Sequence, residues 1–255
     1  MTKEEILRQL RTETFGRTIH TFETLDSTNS FAKSIAAETP EGTLVIAENQ
    51  THGKGRLGRR WHAAAGENLT FSVVLRPSIS PANAGLISLY ASLCVAKGIE
   101  TSTGIDARCK WPNDVLAGGK KISGILSEAV FPPRERLSVV IGIGVNVLET
   151  EFPPEIRQTA TSIKLAGGKV TDRSSVLSAI LKELEDSYPM LDDNKGHALI
   201  AAWSARSPML GATIEIAQDG NVVRGTALRI AEDGRLVIEN SEGTHYIIAG
   251  DTSIV

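Results

Sequence analysis

Nine residues, Gly53-Lys54-Gly55-Arg56-Leu57-Gly58-Arg59-Arg60-Trp61, place the tightest limit on what this chain can fold into. Three glycines alternate with four cations, and an aromatic residue closes the run. Glycine permits positive φ and lets backbone approach a ligand closely. Lys and Arg supply charge, and Arg a planar fork, for carboxylate or phosphate. The run therefore reads as a mobile anion-binding loop with a stacking surface at its end. That narrows the chemistry to nucleotides or carboxylates.

The same letters match the G-x-G-x-x-G dinucleotide fingerprint, which requires a strand before the glycines and a helix directly after them. Thr43-Leu44-Val45-Ile46-Ala47-Glu48 can supply the strand. Trp61-His62-Ala63-Ala64-Ala65-Gly66 is too short for the helix, and another strand-like run, Leu69 to Leu75, follows at once. A dinucleotide loop would also not be crowded with cations. The G-x-x-x-x-G-K-[ST] phosphate loop fails because Gly58 is followed by Arg59 and Arg60. Both nucleotide folds are rejected.

With 41% hydrophobic residues in 255, the chain can build a substantial core, as one large domain or as a medium and a small one. A net charge of −3 gives no global attraction to nucleic acid or to an anionic membrane, so the basic loop has a local job. No apolar run reaches membrane-spanning length, and Met1-Thr2-Lys3-Glu4-Glu5-Ile6 lacks the apolar core of a signal peptide. Cys94 and Cys109 lack metal-ligand spacing, and the five His are scattered, so no zinc site is expected. The composition predicts a cytoplasmic protein without membrane attachment.

Apolar spacing predicts a short helix over residues 2–13 with Ile6, Leu7 and Leu10 on one face. A second helix covers Phe31 to Ala37, capped by Ser27 or Thr28 and ended by Pro40. After the strand at 69–75, a helix runs from about Ala82 to Gly98. A β-meander follows, with Arg108–Leu116 and Ile122–Val130 flanking a Gly118-Gly119 turn. The apolar run Leu137 to Asn146 suits a buried strand, and two further helices lie near 173–187 and 195–205. A boundary at Ser207-Pro208 separates residues 1–207 from 208–255. Beyond it, strands at 213–217, 222–230, 235–239 and 244–248 are punctuated by Asp219-Gly220, Asp233-Gly234 and Glu242-Gly243, the rhythm of a small β-barrel.

Cys109-Lys110-Trp111-Pro112-Asn113-Asp114 is odd for a strand, because Pro112 removes a ladder donor and a charge, an amide and an aromatic crowd around it. Taken alone, it is equally well a strand ending in a Pro turn. Seven residues on, Lys121 enters the opposite arm of the hairpin, which would bring it near Asp114. A carboxylate beside a Lys can hold a metal or orient an amine, and the Lys can lie between a substrate carboxylate and a phosphate.

Taken together, Asp26-Ser27-Thr28-Asn29, Gln50, the glycine–cation loop, Lys110-Trp111-Pro112-Asn113-Asp114, Lys121 and Gly142-Ile143-Gly144-Val145-Asn146 closely resemble biotin–protein ligase in order and spacing. The resemblance covers essentially the whole chain. It implies an α+β fold: a catalytic domain similar to class II aminoacyl-tRNA synthetases and a small C-terminal SH3-like barrel. It implies biotin and ATP as substrates with Mg²⁺, a biotinyl-5′-AMP intermediate, and transfer of biotin to a lysine on the biotin carboxyl carrier domain of acetyl-CoA carboxylase or a related carboxylase.

By the same resemblance, Ser27, Thr28, Asn29 and Gln50 would hydrogen-bond the biotin head group, with Ser27 and Thr28 free to act as caps as well. Gly53, Lys54, Gly55 and Arg56 would close over biotin and the adenylate, and Gly124 would line the biotin site. Trp61 would stack on adenine, with Arg59, Asn113 and Asn146 positioning the nucleotide. Arg56, Lys121 and Asp114 form the catalytic set: Lys121 bridges the biotin carboxylate and the α-phosphate, and Asp114 orients the incoming lysine or helps hold Mg²⁺. Many relatives carry Arg where this chain has Lys54, which keeps the charge and loses the fork; Lys54 is expected to contact ligand mainly through its backbone. Only 25 residues precede Asp26, too few for a three-helix DNA-binding module, so no operator binding is expected. A homodimer is expected from the family. The rival readings are a lipoate–protein ligase and a non-catalytic biotin or nucleotide sensor, which would lack Lys121 or Asp114.

Overall fold

The computed structural model describes residues 1–130, 138–169, 172–218 and 221–255. Its larger sheet is built from β1 (Ile19–Leu25), β2 (Leu44–Gln50), β3 (Leu69–Leu75), β4 (Ala107–Lys110), β5 (Asp114–Ala117), β6 (Lys120–Val130) and β7 (Ser138–Val145). They lie in the order β1-β2-β3-β7-β6-β5-β4, with β1 and β2 parallel and the other neighbours antiparallel. β3 is buried along its whole length, and Thr70 and Ser72 alternate with Leu69, Phe71 and Val73, so its polar side chains share one face and the apolar ones turn to the main core.

The two faces of this sheet are covered differently. Leu44, Ile46, Phe71, Val73, Ile141 and Ile143 pack into the main core with α1 (Lys3–Gln9), α3 (Gly85–Thr103), α4 (Arg173–Ser187) and α5 (Gly196–Ser204). On the opposite face a small cluster of Val45, Val74 and Val140 packs under Ala32 of α2 (Thr28–Ile35) and Ala36, the residue that caps it. Farther along that face the residues become small or polar. Ser72 of β3, Gly124 of β6, and Gly142 and Gly144 of β7 leave an uncovered floor, and Gly124 pairs directly with Gly144. The position of the cleft follows from this change of side-chain size.

The smaller unit is a five-stranded antiparallel sheet of β8 (Thr213–Gln218), β9 (Asn221–Ile230), β10 (Leu236–Asn240), β11 (Gly243–Ile247) and β12 (Asp251–Ile254), in the order β11-β10-β9-β8-β12. The fold is thus α+β, with a larger mixed-sheet unit followed by a small β unit. Among the described residues, no helix is long and apolar enough to cross a membrane.

Several sequence expectations need correction. The first helix stops at Gln9, because Leu10 turns to an extended conformation that places it in the core beside Ile6. Gly98 does not end its helix: α3 runs on to Gly104, whose φ of 77° makes the left-handed stop. Gly98 is instead a close-packing point, since a Cβ there would lie 2.7 Å from the Ile180 Cα of α4. Arg108–Leu116 is not one strand. The Pro-containing run splits it into β4 and β5, which fold back on each other with Lys110 paired to Asp114. The Gly118-Gly119 turn stands as expected, with φ of 55° and 78°. β1 and β12 add to the expected strands, and the Asp219-Gly220 turn lies outside the described residues.

Candidate functional site

A cleft of about 530 Å³ opens over the glycine floor. At one end, Ser27 caps α2 by accepting from the Ser30 N–H at 3.4 Å, which sets Thr28 and Asn29 at the start of the helix facing β2 and β3. Gln50 Oε1 accepts from the Thr28 backbone N–H at 2.8 Å and from its hydroxyl at 3.1 Å. Ser72 Oγ lies 2.8 Å from Thr28 Oγ1 and 2.6 Å from Asn29 Oδ1. Asn29 Nδ2 donates to Leu126 O at 3.2 Å and to Glu128 Oε2 at 2.8 Å. Burial pushes the Glu128 carboxyl up, but its bonds from Lys33 and Asn29 outweigh this and hold it below the ordinary carboxylate value. Each polar group at this end is therefore fixed before any ligand arrives. A Cβ on Gly142 would come within 2.1 Å of Asn29 Oδ1, so the head of α2 can sit this close only over a glycine.

The glycine–cation loop forms the wall. It folds on itself through Gly55 N–H to Arg59 O at 2.7 Å and Trp61 N–H to Gly53 O at 3.0 Å. Leu57 and Gly58 turn its tip at φ of 54° and 74°. Its cations point to different places. Lys54 Nζ donates to Ser30 Oγ of α2 at 2.8 Å, Arg56 donates to Asn113 Oδ1 at 3.0 Å, and Arg60 reaches back to Thr51 O at 2.7 Å. Arg59 forks onto Asp251 of β12, with one of its two bonds at 2.9 Å. Burial pulls the Arg56 guanidinium value down, against the opposing pull of Asp114 and Asp251.

Beyond the loop, the Trp61 indole lies on the paired glycines. A Cβ on Gly144 would be 2.2 Å from Trp61 Cε2, and one on Gly124 would be 3.0 Å from Cζ3. Lys121 Nζ sits 2.6 Å from Asp114 Oδ1 and 5.7 Å from the indole centroid. Asn146, at the end of β7, donates to Thr161 O at 2.9 Å, which orients its amide. Apart from Asp114 Oδ1, which is ion-paired with Lys121, two polar atoms lining the cleft are buried and lack a hydrogen-bond partner: the donor Trp61 Nε1 and the acceptor Asn146 Oδ1.

The cleft thus brings together Ser27, Thr28, Asn29, Gln50, Lys54, Gly55, Arg56, Arg59, Trp61, Asn113, Asp114, Lys121, Gly124 and Asn146. Gly53 does not line it: it is buried at the base of the loop, where a Cβ would lie 2.9 Å from Trp61 O and 3.3 Å from Gln50 Nε2. Further residues with no assigned role also line the cleft, among them His62, Lys110 and Asp251. Lys110 is a cation whose value burial lowers against the pull of Asp114, and Asp251 comes from the second sheet. Lys110 could have been singled out as the one cation of its motif; Asp251 carries no local signal. Among the described residues, no group of three His, Cys, Asp or Glu is placed to hold a metal ion. An ion in this cleft would have to draw most of its oxygen ligands from phosphates, with Asp114 the nearest carboxylate to the Lys121 cation.

The model of the biotin/lipoate A/B protein ligase family matches residues 21–146, and that of the biotin protein ligase C-terminal domain matches residues 209–255. A bifunctional ligase/repressor BirA of Bacillus subtilis is 35% identical over 257 residues, spanning 100% of this chain and 79% of the relative. A biotin–[acetyl-CoA-carboxylase] ligase of Mycobacterium tuberculosis is 36% identical over 232 residues, covering 88% of this chain and 84% of its own. Among solved structures, the Aquifex aeolicus biotin protein ligase in complex with biotin and ATP superposes with a TM-score of 0.82 at 29% identity, over 94% of this chain and 99% of that one.

Proposed function

This chain belongs to the biotin protein ligase family, and on that premise we propose how its side chains divide the work. It is an ATP-dependent ligase that activates biotin as biotinyl-5′-AMP and transfers the biotinyl group to a lysine of a biotin carboxyl carrier protein. The observation that carries the division of roles is the asymmetry of the cleft. One end is a closed hydrogen-bond network at the head of α2, the other holds the two unpartnered atoms, and Lys121 lies between.

In this reading the Ser27, Thr28, Asn29 and Gln50 end, with the Gly124 floor, takes the biotin head group. Trp61, Asn113 and Asn146 take the nucleotide. An adenine amino group can donate to Asn146 Oδ1, the acceptor left without a partner. In the first step a biotin carboxylate oxygen attacks the α-phosphorus of ATP, and pyrophosphate leaves. Two like unit charges 4 Å apart repel by about 4 kcal/mol at an effective dielectric near 20, so cations decide this step. Lys121 bridges the two anions, Arg56 and Arg59 neutralise the phosphates, and Lys110 is a further cation facing the same space. In the second step the carrier lysine attacks the acyl carbon, AMP leaves, and Asp114 orients the amine. Mg²⁺ would offset charge on the triphosphate, with Asp114 contributing at most one ligand beside the phosphate oxygens. The loop Gly53-Lys54-Gly55-Arg56 closes over the anhydride and keeps water from it. The Lys54 Nζ bond to Ser30 supports a ligand contact made through the Lys54 backbone. In this proposal the carrier is a carboxylase biotin domain, and the protein works as a homodimer in the cytoplasm.

The test is mass spectrometry of adenylate formed from Mg-ATP with biotin, and with lipoate in parallel. The Lys121→Ala variant is expected to slow adenylate formation by about 10²–10³ and to weaken biotin binding much less, since the α2 end still holds the head group. An unchanged rate would overturn the role of Lys121. Lipoyl-AMP alone would reverse the substrate. Sedimentation mass would test the dimer.

A further inference from the structure

Among the described residues, Glu149 is the one acidic side chain that is buried, at 1% exposure, and none of the roles above uses it. A carboxylate is rarely taken out of water unless its oxygens are paired. All its partners lie on one short segment. His62 Nε2 is 2.7 Å from Glu149 Oε1, within reach for an imidazole N–H to donate to the carboxyl oxygen. Asn68 Nδ2 donates to Oε2, and the Ala64 N–H approaches the same oxygen at 3.5 Å. Asn68 in turn accepts from the Val147 N–H at 2.9 Å, and Leu148 N–H donates to Glu67 O at 2.9 Å. The chain that leaves Trp61 is thereby tied at several points to the chain that leaves Asn146. Those two residues carry the unpartnered donor and acceptor of the cleft.

We propose that Glu149, acting through His62, is a positioning residue for the nucleotide: it sets the separation of the Trp61 indole from the Asn146 amide, between which the adenylate is gripped. The proposal rests on the assignment of Trp61 and Asn146 to the nucleotide. His62 is 43% exposed, so replacing it removes a donor without opening the core, which separates the positioning role from simple stabilisation. Among the described residues, the α2 end of the cleft shares no hydrogen bond with this network, so biotin binding should be insensitive to it.

The test is steady-state adenylation by Glu149→Gln, His62→Ala and His62→Gln, with melting curves for each. Glu149→Gln and His62→Ala are expected to raise KM for ATP about tenfold while kcat and KM for biotin stay within about twofold. His62→Gln, which keeps an N–H for the carboxylate, is expected to recover most of the loss. An unchanged KM for ATP in His62→Ala would overturn the proposal. So would losses confined to kcat and melting temperature, the signature of a structural role alone. Trp61→Ala and Asn146→Ala serve as controls. If they raise KM for ATP and His62→Ala does not, only the positioning role falls. If none of them raises it, the nucleotide assignment falls as well.

Discussion

Lys121 shows how much one side chain is asked to do. It pairs with Asp114 at 2.6 Å and lies 5.7 Å from the Trp61 ring centroid, so it is held between a carboxylate and an aromatic face. Removing Asp114 should therefore mislocate Lys121 as well as remove an amine acceptor. Asp114→Asn is expected to lower both half-reactions, adenylation by about tenfold and transfer by more, since a lost charge-assisted bond is worth about 1.5–3 kcal/mol; separate single-turnover assays of the two steps would check this. Lys54 is the contrasting case. Its ammonium is engaged with Ser30, so Lys54→Ala is expected to weaken biotin retention only about threefold, less than 1 kcal/mol, measured by equilibrium dialysis. This difference between neighbouring cations was not legible in the sequence, where Lys54, Arg56, Arg59 and Arg60 read as one charged run. What separates them is what each side chain reaches, and those partners are Ser30, Asn113, Asp251 and Thr51.

Among the elements, the strands and helices with unbroken apolar patterns were readable: β3 and α4 have the expected bounds. Motif residues were readable for a different reason. Thr28, Gln50, Asn113 and Asn146 each sit in a short run at the end of a strand or the start of a helix, so their order survives without knowledge of the fold. Elements governed by contacts at a distance were missed. Gly98 reads as a helix stop and is a packing contact with Ile180, 82 residues away in the chain. Gly98→Ala is expected to force α3 and α4 apart and cost about 1–3 kcal/mol, visible as a lower midpoint in urea with unchanged adenylation per folded molecule. Gly144→Ala belongs to the other face of the sheet. It would displace the Trp61 indole and is expected to raise KM for ATP with little change in stability.

At the scale of the whole molecule, the two sheets meet at the Pro-containing run between β4 and β5. The Trp111 indole N–H donates to Gly234 O at 3.1 Å, and Thr252 Oγ1 donates to Trp111 O at 2.8 Å. The Arg59–Asp251 pair adds a tie from the loop to β12. Both partners of that pair are more than 40% exposed, so it adds little to stability, on the order of 0–1 kcal/mol. Asp251→Ala is expected to leave the melting temperature nearly unchanged and to speed loss of the adenylate, followed by filter binding. Acid should act more broadly. Burial pushes the carboxyls of Glu48, Glu128 and Glu185 up, yet Arg173, Lys33 with Asn29, and the backbone N–H groups of residues 13–15 respectively outweigh it and hold all three low. A carboxyl depressed in the folded state contributes stability above its unfolded value and loses it as pH falls through the folded one. Melting temperature is therefore expected to be level down to about pH 5 and to fall below about pH 4. No local pattern announced these ties, because their partners are joined only by the finished fold.

The floor of Gly124, Gly142 and Gly144 can be altered in only one direction, because every substitution there adds atoms. Neutral drift at these positions can shrink the space for a ligand and cannot enlarge it. A descendant of this chain that accepts a bulkier acid must therefore acquire the room from its walls, through Leu126, Trp61 or the glycine–cation loop. A library built to broaden the substrate range should vary those positions and leave the floor as it is.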